Sequence, residues 1–473
     1  MKKKVLVFGT GLFYKNRKDH LIGISYNKAE IVGFLDNNAE NICECDGKPV
    51  FHPNDIKTLE FDLVVLMSKS LDEMKEQLIK MGIGKQKIID WDTYRREMSR
   101  GVFRFYCGLN EVLPKKNILV LSDYLDYNGG AMVAVYAVKV LYQKGYNVIL
   151  AAQDGNENYV QEIADSGINV MICSDIHYFK AEEQFLIRQF DVVLVNTFPM
   201  LPCAVRISKI KPVLWWMHEP SYFYPIFVSR FKQYIDKDAF KNINIKAVSR
   251  IAQNNFNNYC SNEINSILSF GIPDNLGKIE SKQNSKIVFA LIGYVENNKA
   301  QEVFLNAIVG LSEQEKRNTE FWLIGAVGNK EYFEKIENIA ERETSVYIKG
   351  LMSQEDIVKA YEEIDVMVCP SYEDTFSVVI TEGMMYAKPC IVSDTTGVAE
   401  YVHDGENGFV IKAGDVIALS EKLKYFIHNR ESITRMGMKA RETYEKYFTM
   451  DRFGEVLESS LLETINEYEA KNR

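Results

Sequence analysis

The chain has 473 residues and a net charge of −9, from 56 Lys and Arg against 65 Asp and Glu, which argues against a sequence-independent nucleic-acid binder, whose affinity comes from neutralising phosphates. With 47% hydrophobic and 26% charged residues it has a globular and not a disordered composition, and at roughly 150 residues per domain its length predicts about three domains. Eight scattered cysteines, of which only Cys43 and Cys45 are close, exclude a disulfide scaffold, and a Cys-x-Cys with no second pair or nearby His lacks the ligands of a zinc site, so no metal is expected.

The opening Met1 and three lysines before Val5–Phe8 imitate a leader, but the apolar run is short and ends in Gly-Thr-Gly, so it reads as a first strand. No run approaches the roughly 18 apolar residues of a membrane span, and a reduced, cytoplasmic protein is expected. The first block continues with strands at Glu30–Leu35, ending in Asp36, and Leu63–Met67, then a helix at Leu71–Met81. Short apolar runs alternating with helical periodicity predict a parallel sheet. Residues 93–115 carry Arg95, Arg96, Arg100, Arg104 and Pro114-Lys115-Lys116 and read as a helix and linker.

A second block starts at the strand Asn117–Ser122, after which Asn128-Gly129-Gly130 opens a helix, Ala131–Lys144. Strands follow at Asn147–Ala152, Asn169–Cys173, Asp191–Asn196, Val213–Met217 and Ile245–Ser249. The third block has strands at Ile287–Ile292, Glu320–Ile324, Val346–Ile348, Asp365–Cys369, Pro389–Val392 and Gly408–Val410, with helices such as Gln301–Leu311 and Ser353–Glu363 between them. From about 412 the chain is mostly helical, ending in an amphipathic helix over 451–469. Blocks two and three are two doubly wound α/β domains, and the cleft between them is the expected site.

The stretch Pro370-Ser-Tyr-Glu-Asp374-Thr-Phe376-Ser377-Val378-Val379-Ile-Thr-Glu382 follows a buried strand and opens a helix. The free amides and dipole of that first turn suit an anion. Asp374 and Glu382, eight residues apart, would repel a phosphate there and make sense as acceptors of hydroxyl hydrogen bonds. On residue types alone they fit equally an N-terminal capping acid and a solvated helical Glu.

The pattern resembles the acid-x7-Glu signature of retaining glycosyltransferases of family 4, which have the GT-B fold of two facing Rossmann-like domains. The resemblance covers about residues 117–470 and includes Asn128-Gly-Gly-Ala131, Trp215-Trp-Met-His-Glu219, Ala247-Val-Ser-Arg250, Phe270-Gly-Ile-Pro273, Ile292-Gly293 with Glu296 and Lys299, Ser393 to Glu400, and Asp404 to Phe409. It implies an α/β architecture with an acceptor-side domain at 117–280, a nucleotide-sugar domain at 281–446, and a helix at 447–473 returning to the acceptor-side domain, while residues 1–98, with Phe34-Leu-Asp36-Asn-Asn and Gly47-Lys-Pro-Val50, resemble the small Rossmann-like domains attached to other sugar-modifying enzymes and are followed by a linker at 99–116.

Carried over residue by residue, Glu382 would bind the nucleotide ribose, and Asp374 the transferred sugar, where the family more often has Glu. Glu373 is adjacent, but Phe376 favours the alignment on Asp374. The amides of Phe376, Ser377, Val378 and Val379 would cradle the diphosphate. Lys299, six residues after Gly293, would offset charge on the leaving group. His218 would lie near the donor sugar, and Gly129 and Gly130 would let the backbone approach a phosphate. Three departures stand out: Tyr294 and Asn298 occupy places where relatives carry Arg, and Ala300 replaces a Gly, so Lys349 becomes a candidate for the missing cation.

The implied activity is metal-independent sugar transfer with retention, from a nucleotide-sugar, the substrate and not a cofactor, to a glycan or lipid-linked glycan. Its implied setting is cell-surface polysaccharide or glycoconjugate synthesis at the inner face of a membrane, with peripheral association. The alternative is a catalytically weak GT-B protein that binds a glycan or partner and scaffolds assembly. In the first block, Gly9-Thr-Gly11 with Asp36 imitates a dinucleotide fingerprint but lacks its third glycine. NAD binding, another nucleotide or phosphate ligand, and a partner-binding or structural role all stay open for residues 1–98. An NAD-dependent epimerase would need a Tyr-x-x-x-Lys pair in the right context, which is lacking.

Overall fold

The computed structural model describes all residues except 1, 26–27, 99–102, 109–112, 114, 174–175, 177–180, 236–237, 261–263, 265, 279–284 and 473. The chain forms two compact units, Met1–Asn110 with Ser122–Tyr127 and Ile149–Gln184, and Glu111–Leu121 with Asn128–Val148 and Phe185–Arg473. The first unit opens with strands β1 (Lys3–Phe8), β2 (Ala29–Leu35), β3 (Glu44–Cys45), β4 (Lys48–Phe51), β5 (Leu63–Leu66) and β6 (Ile88–Asp90). Their order is β3-β4-β2-β1-β5-β6, parallel except for the β3–β4 pair. Alternate residues feed two cores, Val5, Val7 and Val65 packing with Tyr14, Trp91 and Tyr94, and Leu6, Phe8 and Val64 with Ile56, Met74 and Leu78. Covering both faces makes these strands read as unbroken apolar runs.

Gly9 is required at the end of β1: its φ is +107°, and a Cβ would lie 2.7 Å from the Met67 carbonyl oxygen. Beside it, Thr10 donates its amide (3.0 Å) and hydroxyl (2.7 Å) to one Asp36 oxygen, and Asn38 donates its amide to the other (3.0 Å). The acid that a dinucleotide fingerprint turns toward ribose is therefore bonded to the loop after β1 and to its own loop.

The chain continues with strands β7 (Phe103–Tyr106), β8 (Asn117–Leu125), β9 (Asn147–Gly155), β10 (Asn169–Cys173), β11 (Val192–Asn196), β12 (Val213–Met217) and β13 (Ile243–Ala247). In the first unit, β10 pairs parallel with β9 and antiparallel with β7. The expected helix and linker over 93–115 is thus corrected: a helix, Trp91–Met98, is followed by an edge strand. Arg104 and the Tyr106 hydroxyl of that strand reach Glu157 at 2.8 and 2.5 Å. Arg95 is buried, bonded to Gln153 and 3.4 Å from Asp154, whereas Arg100 and Pro114 lie outside the described residues.

In the second unit, β11 is flanked by β8 and β12, and β12 by β13, all parallel. The last sheet comprises β14 (Ile287–Ile292), β15 (Thr319–Ile324), β16 (Val346–Gly350), β17 (Val366–Cys369), β18 (Cys390–Ser393) and β19 (Gly408–Ile411), in the order β16-β15-β14-β17-β18-β19, all parallel. At its carboxyl edge the ends of β14 and β15 nearly touch, since a Cβ on Gly325 would lie 2.0 Å from the Gly293 carbonyl oxygen.

The closing helix, Met450–Asn472, packs on the helix Gly129–Gln143, and its Phe453 stacks on Trp216 at 5.6 Å. Glu458 accepts from Lys115 (2.7 Å), Lys144 (3.0 Å) and the Tyr146 hydroxyl (2.8 Å). These donors, Lys115 foremost, pull its carboxyl down to about 2. A carboxyl more acidic when folded adds stability above its unfolded pKa, which is lost as the pH falls through the folded value. Glu458→Gln is expected to lower unfolding free energy at pH 7 by about 1–2 kcal/mol, discounted for partial exposure. In urea melts the gap from wild type should narrow between pH 5 and pH 2, and a pH-independent gap would contradict this.

Candidate functional site

The site lies in the second unit, beyond the carboxyl ends of β14, β17 and β18, where open parallel sheets bind ligands. After β17 the loop 370–377 is pinned from several sides. Tyr372 donates its amide to the Asn298 carbonyl (2.9 Å), and Asn298 returns its side-chain amide to the Glu373 carbonyl (2.7 Å). Asp374 donates its amide to Thr395 (3.1 Å) and accepts from the Gly397 amide (2.7 Å). A Cβ at Gly397 would lie 1.9 Å from the Thr375 carbonyl oxygen, so only glycine lets these segments meet.

Lys299 ends a short turn, Asn297–Lys299, and runs its stem past Gly293, where an added Cβ would be 3.7 Å away. Its ammonium lies 2.9 Å from Asp374. Burial disfavours the charge, but Asp374 beside it more than offsets this and raises the ammonium above its ordinary value. The next residue, Ala300, sits at φ +53°, ψ +41°. A left-handed backbone costs a non-glycine residue roughly 1–2 kcal/mol, which is the physical sense of the glycine expected there.

The helix Val378–Met385 begins at Ser377, whose side chain makes no capping bond. Among the described residues, the amides of Phe376, Ser377, Val378 and Val379 have no acceptor. Glu382 lies farther along this helix and accepts from the Tyr361 hydroxyl (2.9 Å), which also reaches the Val379 carbonyl (3.3 Å). Burial lifts the Glu382 carboxyl to about 7, and the Tyr361 bond holds it back only in part.

Opposite stand the ends of β11 and β12. His218 sets its ring edge-on to Trp216 at 4.5 Å, and its Nε2 is buried with no hydrogen-bond partner. Burial lowers its pKa to about 3, so the ring is neutral. Thr197 has φ +75° and ψ 153°, a region that is essentially glycine's and costs about 1–3 kcal/mol. Its amide bonds to the Trp216 carbonyl (3.0 Å) and its carbonyl accepts from the Trp215 indole (2.8 Å).

The loop with Asp374 is bonded directly to this side. Glu373 accepts from the Ser221 amide (2.7 Å) and hydroxyl (2.5 Å) and from Asn255 (2.5 Å). Thr375 donates its hydroxyl to the His218 carbonyl (2.7 Å) and accepts from the Ser249 hydroxyl (2.5 Å). The adjacent acids are thereby told apart: Glu373 ties the segment after β12 to the helix Arg250–Tyr259, and Asp374 faces Lys299. The Phe376 ring packs between Phe270 (4.6 Å) and Phe448 (5.6 Å).

Other sequence candidates are placed differently. Asn128 caps the helix Gly129–Gln143 by accepting from the Ala131 amide (3.0 Å), and the space where a Gly129 Cβ would stand is open. Gly130 lends its carbonyl to Asn196 (3.0 Å). The Lys349 ammonium rests over the Trp322 ring at 4.3 Å and Tyr347 at 5.3 Å, and it makes no described ion pair with the Lys299 group. Tyr294 is exposed, and Asn298 is engaged in holding the 372–374 loop. Thr197, Tyr361 and the pairing of Arg250 with Glu400 (3.2 Å) were not picked out from the sequence. Among the described residues no group of three or more His, Cys, Asp or Glu is placed to hold a metal ion.

Residues 274–443, which contain Lys299, Asp374 and Glu382, match the family described as glycosyl transferases group 1. This segment, about a third of the chain, is thus similar to the group 1 glycosyl transferases. Residues 1–89 match the family described as C2185-like, N-terminal. The chain is 22% identical over 339 residues to an uncharacterized glycosyltransferase of Haemophilus influenzae, covering 67% of this chain and 92% of that protein. It is 30% identical over 127 residues to sulfoquinovosyl transferase SQD2 of Arabidopsis thaliana, covering 26% and 25%. It is 29% identical over 116 residues to the capsular polysaccharide biosynthesis glycosyltransferase CapM of Staphylococcus aureus, covering 24% and 30%. The chain spans about a quarter of the length of the first curated relatives it matches. Among solved structures, Anabaena Alr3699/HepE in complex with UDP and glucose matches with a TM-score of 0.59 at 16% identity, covering 74% of this chain and 100% of that one. This likeness establishes the fold as GT-B, and the segment similar to group 1 glycosyl transferases is the part of it that holds Lys299 and Glu382.

Proposed function

We propose that the chain transfers a sugar from a nucleotide-sugar to an acceptor hydroxyl with retention and without a metal ion. The observation that carries this reading is the grouping of Lys299, Asp374 and the open amides of 376–379 at one helix end, with Glu382 on the same helix. The amides and Lys299 suit a diphosphate, and the two carboxylates suit the hydroxyls of ribose and sugar. The bond from the anomeric carbon to the phosphate oxygen breaks as the bond to the acceptor oxygen forms on the same face. The acceptor proton passes to the departing phosphate oxygen, and Lys299 meets the charge developing there.

The UDP and glucose held by the Anabaena neighbour support a uridine nucleotide as the first donor to try, and the CapM relative supports a glycan or lipid-linked glycan of surface polysaccharide as acceptor. Among the described residues no helix is long and apolar enough to cross a membrane. A cytoplasmic setting with peripheral contact at the inner membrane face, and partner binding through residues 1–98, belong to the same proposal. Tyr294 and Asn298 supply no cation beside Lys299, and this favours the second reading, a slow or inactive GT-B scaffold. Incubation with UDP-glucose, UDP-galactose, UDP-N-acetylglucosamine and GDP-mannose, with and without EDTA, separates the two. Sugar transfer predicts cleavage of one donor, unaffected by chelation, with a retained anomer by early proton NMR. An inverted product refutes retention, and nucleotide binding without cleavage of any donor selects the scaffold.

A further inference from the structure

Two buried polar atoms at the ends of β11 and β12, Oγ1 of Thr197 and Nε2 of His218, have no hydrogen-bond partner. Their residues are neighbours in the sheet: Asn196 is in register with Trp216, and the Thr197 amide bonds to the Trp216 carbonyl. The Glu219 carboxylate locks the two ends together, accepting from the amides of Phe198 (2.6 Å) and His218 (3.0 Å). Thr197 is held in a glycine-type backbone by bonds at both its amide and its carbonyl. Its methyl side faces the glycine turn, 3.6 Å from where a Gly130 Cβ would be. A buried hydroxyl without a partner is costly. Strain and an unanswered hydroxyl on one residue, with an unanswered imidazole nitrogen at the end of the adjacent strand, mark a place where the missing partner comes from a ligand.

We propose that Thr197 is a specificity-determining residue whose hydroxyl, together with Nε2 of His218, holds one hydroxyl group of a bound sugar. This rests on the sugar-transfer reading above. Both side chains are neutral, the imidazole because it is buried. A neutral pair suits a hydroxyl, which donates and accepts at once, whereas a phosphate would need a cation. The hydroxyl belongs to the donor sugar or to the acceptor sugar, and the two are separable by experiment.

Thr197→Val removes the hydroxyl at nearly constant shape, Thr197→Ser keeps it, and Thr197→Gly relieves the backbone. With the accepted donor from the four nucleotide sugars, Thr197→Val should lower kcat/KM at least 10-fold while UDP affinity by calorimetry is unchanged. Thr197→Ser should stay within threefold of wild type, and Thr197→Gly should raise Tm yet lose activity like Thr197→Val. A loss already present in donor hydrolysis assigns the hydroxyl to the donor. A loss only in transfer to octyl glucoside assigns it to the acceptor. Thr197→Val within twofold of wild type in both assays overturns the proposal, as does Thr197→Ser failing as badly as Thr197→Val. A wild type that cleaves none of the four donors overturns the sugar-transfer reading itself, and is recognised by the inactivity of the unaltered protein.

Discussion

Lys299→Ala is expected to slow donor cleavage by roughly 10²–10³-fold, the loss typical of removing one preorganised group aimed at developing charge. The ammonium is held before any substrate arrives, along Gly293 and against Asp374 at 2.9 Å, so no reorganisation is needed when the diphosphate departs. Lys349 is over Trp322 and Tyr347, and Tyr294 and Asn298 bring no charge, so none of these three described residues compensates for the lost ammonium. The fall should lie in kcat more than in KM, because the charge grows only toward the transition state. Removing the lysine also strands the Asp374 carboxylate, so the double variant Lys299→Ala, Asp374→Asn serves as a folding control. A rate within threefold of wild type for the well-folded single variant would remove Lys299 from the chemistry.

Glu382→Gln is expected to weaken UDP binding about 10- to 100-fold, since hydrogen bonds to a charged acceptor contribute about 1.5–3 kcal/mol. The wild-type carboxyl titrates near 7, so hydroxyls that donate to it favour the ionised form. UDP affinity should therefore rise through pH 7, by close to tenfold per unit on the acid side, and the variant should lose this slope. Stability moves the other way. A carboxyl raised by burial handicaps the folded state once the pH exceeds its unfolded value, and fully above about 7. Glu382→Gln should then be the more thermostable protein at pH 8. Calorimetry of UDP binding between pH 6 and pH 8 decides the matter, and an unchanged slope in the variant would clear Glu382 of contact with the ribose.

Much of this was legible in the sequence because strands buried on both faces betray themselves as apolar runs. Leu63–Met67 and Ile287–Ile292 lie at or within a residue of their observed bounds, and Val5–Phe8 starts two residues inside its strand, which opens at Lys3. Phe103–Tyr106 escaped because an edge strand with Arg at its second position carries no such run. The strand placed at Ile245–Ser249 begins two residues earlier, at Ile243, since its first residues alternate with polar ones. Asp374, Lys299 and Glu382 could be named through the resemblance to the glycosyltransferase family, and the structure places Lys299 against Asp374 and Glu382 on the helix that follows. What Glu373 does could not be read in advance, because Ser221 and Asn255 lie more than a hundred residues away. Nor could Thr197, since nothing in a threonine announces a glycine-type backbone that Trp215 and Trp216 impose from the next strand.

The short run Glu373–Asp374–Thr375 does two jobs at once. Its outer members bind Ser221, Asn255, the His218 carbonyl and Ser249, and its middle member positions Lys299. Because the two jobs fall on three consecutive residues, a disturbance at Ser221 or Ser249 would be felt along the backbone that carries the partner of Lys299.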